Sequence, residues 1–440
     1  MPFFSLIKRL FKFKNPYNNS FFSFLLLASI GIKMLAYTAF HLNRSPSING
    51  QSSSIFSKKR VHSMLLKRFS VSIGIILLLL LPSVMAAPML LDKNITRQLR
   101  QILKEEVKKQ GIPGAVVAVS TPQGDWIEAI GLADKERRIP MRITDRFRVA
   151  SVTKTFVAVV VLRFVEQGLL QLDEPIRRWL PPRVSRRLLH SEEITLRQLL
   201  NHTSAIPDYL ESEKLVSIMQ EDPYRQWTIE EILEYVYTLP PYTDRIGTVS
   251  YYSNTNYLLL ELILNQISDE PLAKLIRRFI STPLHLQNTF LEIQEKVNFV
   301  QGYEDWDGDG QIDNVTTPPV DSGYGFADGG LVSSAEDLMH FIQALLAKKR
   351  LLSHEMMQEM TSLVEDSDVD EEYGLGLESF FLEGYHVWGH SGRNTGFLTE
   401  MRYIPDADIT IVILINAGGE ADPYQIFEQM FKAMIGAGLG

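Results

Sequence analysis

Ser151 and Lys154 stand three residues apart in the run Phe147-Arg148-Val149-Ala150-Ser151-Val152-Thr153-Lys154. Helical spacing puts such a pair on one face, one turn apart. A serine hydroxyl is a weak nucleophile until a base takes its proton. A lysine can be that base only if burial or a positive neighbour lowers its pKa. The positive end of a helix would favour both a neutral lysine and charge growing on the serine oxygen. The chemistry implied is attack on a carbonyl carbon. Alone the pair is a weak signal, because Ser5-Leu6-Ile7-Lys8 matches it too, and a capping serine with a solvated lysine would read the same.

Two later clusters offer partners. In Tyr251-Tyr252-Ser253-Asn254-Thr255-Asn256-Tyr257, a tyrosine beside a lysine can pass a proton to a leaving group if the cation acidifies its phenol. Asn254 falls on the same side of an extended segment as Tyr252, within reach of a substrate amide or the lysine. In Gly389-His390-Ser391-Gly392-Arg393, placed on an edge strand, His390 and Ser391 would bind a substrate carboxylate or carbonyl. Gly392 would allow close backbone approach, and the Arg393 amide would join that of Ser151 as an oxyanion hole. The plain alternatives are a polar turn before a helix and a glycine-rich hairpin with a surface histidine.

These clusters need a scaffold. Apolar spacing predicts a helix over 93–109, ended by Gly111, then paired strands at 115–120 and 126–131 around a turn at Gly124. Short β-branched and aromatic runs at 387–390, 397–403 and 409–416 predict a second group of strands, followed by an amphipathic helix over 424–435. Between them the chain reads as helical at 151–167, 196–200, 229–237, 257–267 and 335–346. Strands from both chain ends around a helical middle predict an α+β fold: an antiparallel sheet flanked by helices plus an all-α lobe, with a site in the cleft between.

Charge divides the 440 residues unevenly. Met1 to Leu91 holds eleven Lys and Arg and no Asp or Glu; the rest carries 33 basic against 52 acidic residues, a net of −19. So acidic a body is a poor match for nucleic acid. Residues 64–86 read as a signal peptide: Lys67 and Arg68, an apolar stretch over 71–81, and Val84-Met85-Ala86 for cleavage. Uncleaved, it would give a transient membrane association. Residues 1–63 read as an upstream extension from a mis-called start, which leaves 87–440 as the mature domain. There is no cysteine, which excludes disulfides and thiolate chemistry.

The ordered set S-x-x-K at Ser151–Lys154, Y-x-N at Tyr252–Asn254 and H-x-G at His390–Gly392 resembles the signature of penicillin-recognising serine hydrolases. Leu196–Ser204, Gly329–Leu338, Tyr373–Gly376 and Asn416 resemble further stretches of the branch holding class C β-lactamases and D-alanyl-D-alanine carboxypeptidases. The resemblance spans about 111–416. It implies a two-lobed β-lactamase-like fold, an acyl-enzyme at Ser151, Lys154 as base, Tyr252 as proton shuttle beside Asn254, and a substrate strand of His390, Ser391 and Gly392. It implies a periplasmic or secreted monomer acting on peptidoglycan peptides, with no cofactor or obligatory metal. His-Ser-Gly, where β-lactamases of the branch have Lys-Thr-Gly, leans toward peptidase or esterase. A carboxylesterase, a weak β-lactamase or a penicillin-binding sensor that acylates and stalls would use the same residues.

Asp305-Trp306-Asp307-Gly308-Asp309-Gly310 resembles half a calcium loop, but Thr316 stands where the closing Glu belongs, so an acidic hairpin turn is the favoured reading. His386 and His390 on one strand lie roughly 13 Å apart, too far for one metal.

Overall fold

The computed structural model describes residues 91–439 except 223, 317–325 and 365–371. The signal peptide expected at 64–86 and the upstream extension expected at 1–63 lie outside the described residues. All described elements belong to one compact unit, Ala86–Gly440. Among them no helix is long and apolar enough to cross a membrane.

Helix α1, Lys93–Lys109, starts where the Asp92 carboxylate accepts the Asn94 N–H, and it buries Ile95, Leu99, Leu103 and Val107 at helical spacing. Strands β1, Gly114–Thr121, and β2, Gly124–Asp134, form a hairpin, followed by short β3, Ile139–Pro140, and β4, Phe147–Arg148. Helix α2, Val152–Glu166, is buried on nearly every side, so its run Phe156–Leu162 is core all round rather than amphipathic. Capping boxes at Thr195/Gln198 and Thr228/Glu231 open α3, Leu196–Leu200, and α4, Ile229–Val236. Helix α5, Asn254–Ser268, begins at the candidate asparagine itself, three residues ahead of the expected start.

The second half carries β5, Phe290–Leu291, β6, Tyr303–Glu304, β7, Asp313–Asn314, and β8, Leu331–Ser333. Helix α6, Ala335–Ile342, gives way to a π-helical turn over Gln343–Ala347 inside the expected helix. Then come β9, Glu372–Tyr373, β10, Glu378–Leu382, β11, Tyr385–Asn394, β12, Phe397–Ile404, β13, Ile409–Ile415, and the closing helix α7, Pro423–Gly436. Strands β9 and β10 had no counterpart in the apolar pattern, and β11 runs on through His390-Ser391-Gly392.

Eight strands make one antiparallel sheet in the order β3-β2-β1-β13-β12-β11-β10-β9. Its centre joins the two chain ends, with Val117 opposite Ile413. Both faces are covered, so β1 and β13 read as continuous apolar runs without alternation. On one face Val117, Val119, Ile411 and Ile413 pack with Leu99, Phe427, Met430 and Phe431 of α1 and α7. On the other, Val116, Ala118, Val412 and Leu414 share a core with α2, α5 and α6, which carries the helical lobe on the sheet without a break. Phe156 stacks on Phe341 at 3.6 Å between ring centres. This is the α+β arrangement expected: an antiparallel sheet flanked by helices on both faces, with a helical lobe built on one of them.

The acidic run is the turn of the β6–β7 hairpin. Asp305 accepts the Gly310 N–H and Asp309 that of Gln311. Their carboxylate oxygens, with those of Asp307, lie within 4.8 Å of one another. Thr316 points into the hairpin instead, donating to Asn314 Oδ1 and accepting the Gly302 N–H.

Because Phe431 is wholly buried between α7 and the sheet, Phe431→Ala should destabilise the domain by about 3–5 kcal/mol, read as a lower denaturant midpoint. An unchanged midpoint would mean that α7 is not part of the cooperative core.

Candidate active site

A small three-stranded sheet, β4-β8-β5, braces the approach to Ser151. The Val149 N–H donates to Leu331 O at 3.0 Å. The Thr153 hydroxyl donates to Ala150 O at 2.6 Å and accepts the Leu331 N–H at 3.0 Å. Held between them, Ala150 adopts φ +47°, a left-handed conformation unfavourable for a residue with a Cβ. The chain turns sharply there and delivers Ser151 to the head of α2. Ser151 is not a capping serine: its backbone is already helical and its hydroxyl makes no capping bond. Instead Ser151 Oγ lies 2.9 Å from Lys154 Nζ.

Lys154 is wholly buried. Its Nζ donates to Asn254 Oδ1 at 2.7 Å and to the backbone O of Asp328 at 2.5 Å. Burial lowers its pKa to about 8, against the pull of the Asp328, Asp208 and Glu378 carboxylates. Roughly a tenth is then neutral at pH 7. A neutral lysine has two N–H bonds and one lone pair. With both N–H bonds committed to fixed carbonyls, the lone pair is left facing the serine hydroxyl.

Tyr252 completes the group. Its hydroxyl hydrogen-bonds Ser151, and its ring centre is 4.9 Å from Lys154 Nζ. The shift runs opposite to acidification: burial pushes the phenol well above its usual range, and Glu378 and Asp208 add to it. Tyr252 therefore stays a phenol, able to accept and donate at once. His202 lies against its ring at 4.3 Å; His202 Nδ1 accepts the Ser253 N–H at 3.1 Å.

Strand β11 runs beside α2. A Cβ added at Gly392 would lie 2.3 Å from Val149 O, so only glycine permits this approach. Strand β10 pairs with β11 as far as Glu378 opposite Gly389, which leaves the edge of β11 unpaired by β10 from His390 onward. The Ser391 N–H points to that edge, where Glu378 accepts it at 2.7 Å. By strand alternation the Arg393 N–H, two residues on, faces the same way.

The side chains of this strand are otherwise engaged. Ser391 Oγ donates to Glu378 at 2.9 Å. His390 Nδ1 sits 2.6 Å from Ser391 O and 3.1 Å from Glu378 Oε1; two acceptors there place the proton on Nδ1, so Nε2 accepts the Tyr373 hydroxyl at 2.7 Å. Burial keeps His390 below its ordinary pKa, despite Glu378. The Arg393 guanidinium, exposed, donates to Gly419 O at 3.1 Å. The edge of β11 thus presents the Arg393 N–H, while His390 and Ser391 are hydrogen-bonded to Tyr373 and Glu378.

Three carboxylates went unread in the sequence. Glu378 also accepts from Arg402 at 2.7 Å; burial alone would raise it, but His390, Arg402 and Ser391 hold it at about 2. Asp328 accepts the Tyr209 hydroxyl at 2.9 Å, and burial raises it to about 6. Asp208 accepts the N–H and the side-chain NH₂ of Asn254, both at 2.8 Å. A legible hint was Glu400 with Arg402, two charges in an apolar strand. A separate cavity of about 200 Å³, lined by Ile194, Ala205, Ile206 and Tyr237, contains none of the groups around Ser151.

The family model described as Beta-lactamase matches residues 99–432. Protein flp of Staphylococcus aureus (strain N315) is 25% identical over 342 residues, covering 76% of this chain and 65% of that protein, so the chain spans about two thirds of its length, slightly less. Esterase EstB of Burkholderia gladioli is 27% identical over 289 residues, covering 59% of this chain and 72% of the esterase. Among solved structures, a D-stereospecific amidohydrolase from Streptomyces sp. superposes with a TM-score of 0.68 at 29% identity, covering 78% of this chain and 99% of the other.

Gly392→Ala should force β11 away from Val149 and slow acylation of Ser151 about 100-fold, with secondary structure by circular dichroism unchanged. Wild-type acylation rates would show the close approach to be dispensable.

Proposed function

Since this chain belongs to the beta-lactamase family, we propose that it is a serine hydrolase forming an acyl-enzyme at Ser151 on amide or ester carbonyls. The observation that carries this reading is the surroundings of Lys154 Nζ: two carbonyl acceptors and the Ser151 hydroxyl.

Neutral Lys154 takes the Ser151 proton as Oγ attacks the carbonyl carbon. The carbonyl oxygen becomes an oxyanion, received by the amides of Ser151 and Arg393. As the tetrahedral intermediate collapses, the proton passes from Lys154 through the Tyr252 hydroxyl to the leaving group. Water then attacks the ester, the same groups run in reverse, and Ser151 is restored.

Within this chemistry the substrate is a peptide-like amide of the kind cleaved by D-alanyl-D-alanine carboxypeptidases, met on peptidoglycan outside the cytoplasm. The acid-free leader with its small-x-small end supports export, and the likeness to a D-stereospecific amidohydrolase supports an amide built on a D-residue. An ester substrate is the second reading, favoured by the likeness to esterase EstB.

The test is mass spectrometry after incubation with a fluorescent penicillin or an activated ester. Wild type should gain one acyl group on Ser151, and Ser151→Ala none. An adduct elsewhere, with Ser151→Ala still active, would overturn the assignment. Lys154→Arg keeps the charge but cannot give up a proton at working pH, and acylation should fall about 100-fold or more. Acylation should also rise with pH through a midpoint of about 8, where Lys154 loses its proton.

A further inference from the structure

Asn254 presents a choice that its own shape does not make. The oxygen and the NH₂ of a side-chain amide are nearly the same size, so either end could face Lys154. With the oxygen inward, as found at 2.7 Å from Nζ, Asn254 absorbs a lysine N–H. With the NH₂ inward, a neutral lysine would have to offer its lone pair to Asn254 and turn an N–H toward Ser151. No base would then face the nucleophile.

One group in the structure decides between these. Asp208 Oδ2 accepts both the backbone N–H and the side-chain NH₂ of Asn254, each at 2.8 Å, which pins the donor end outward. Asp208 is itself held: its Oδ1 accepts the Leu210 N–H at 3.0 Å, and its own N–H donates to the Tyr242 hydroxyl at 3.1 Å. It is buried and accepts three N–H bonds, a set that suits a carboxylate. We propose that Asp208 is a positioning residue for acylation: by fixing the orientation of the Asn254 amide, it aims the lone pair of Lys154 at Ser151. This rests on the serine-acylation reading above.

The charge of Asp208 works the other way. The groups acting on Lys154 are the carboxylates of Asp328, Asp208 and Glu378, which raise its pKa, with buried His202 and His390 on the facing elements held below their usual pKa by burial. Removing the Asp208 charge should make Lys154 easier to deprotonate. A purely electrostatic Asp208 would therefore be a brake on acylation, and its loss would help.

The experiment is the burst of p-nitrophenol from p-nitrophenyl acetate, followed against pH in wild type, Asp208→Asn, Asn254→Ala and the double variant, with Asp208→Ser as a second replacement. Asp208→Asn should lower the high-pH plateau at least tenfold while the acid limb moves to lower pH. In the Asn254→Ala background the same change should leave the plateau within twofold, because the amide it orients is gone. An unchanged or higher plateau in both Asp208 variants overturns the proposal, as does a tenfold loss that persists without Asn254. Melting temperatures identify a variant that is merely unfolded, and the remaining Asp208 variant then decides. If wild type gives no burst and no adduct on Ser151, the hydrolase reading itself fails; a normal wild-type burst with the wrong variant pattern sinks only the role of Asp208.

Discussion

A lysine amine removed wholly from water governs the design of this site. Burying an ammonium is expensive unless its donors are satisfied and opposite charge lies near. The protein places two carbonyls on Nζ and three carboxylates at a further remove. Full neutralisation by an adjacent carboxylate would have produced an inert ion pair. Carbonyls accept hydrogen bonds without stabilising the positive form as strongly, and the result is an amine near pKa 8, where loss and recovery of a proton are both accessible.

Each carboxylate then makes demands of its own, and these shape the surrounding elements. Glu378 carries two donors on each oxygen, from Ser391, His390 and Arg402, so the first residue of β10 fixes both the backbone and the side chains of β11. Arg402 in turn answers Glu400, which burial raises to about 7. Strand β11 is thus held from beneath by a buried ionic layer, while its other face meets α2 through Gly392 with almost no space between. A strand so fixed can present backbone amides at a constant distance from Ser151, as stabilising a developing oxyanion requires.

Much of this was legible beforehand. The chain ends read as strands because Val116–Val119 and Ile409–Ile415 are apolar and β-branched, and the helical middle followed from spacing. Three ordered motifs brought Ser151, Tyr252 and His390 into one argument though they are far apart in sequence. What stayed hidden has physical reasons. Strands β9 and β10 are short and mix Glu372 and Glu378 with aromatics, so their pairing rather than their pattern defines them. Asp208 and Asp328 look like loop acids in the sequence; only folding buries them beside Lys154. Burial pushes the phenol of Tyr252 up, with Glu378 and Asp208 adding to the shift, and that burial is a property of the fold which the motif alone does not carry. For His390 and Ser391 the motif gives residue types and not the directions in which the side chains turn, toward Tyr373 and Glu378.

The pairing of β1 with β13 has a consequence in time. Val116 and Val117 are made well before Leu414 and Ile413, the residues of β13 that pair with them. Contacts of such long sequence separation form slowly and cannot form at all on an incomplete chain. The central sheet therefore cannot close until β13 has been made, and Ser151 at the head of α2 waits on the later strand β11 for its neighbour. The late strands of the sheet thus act as the lock that sets the machinery.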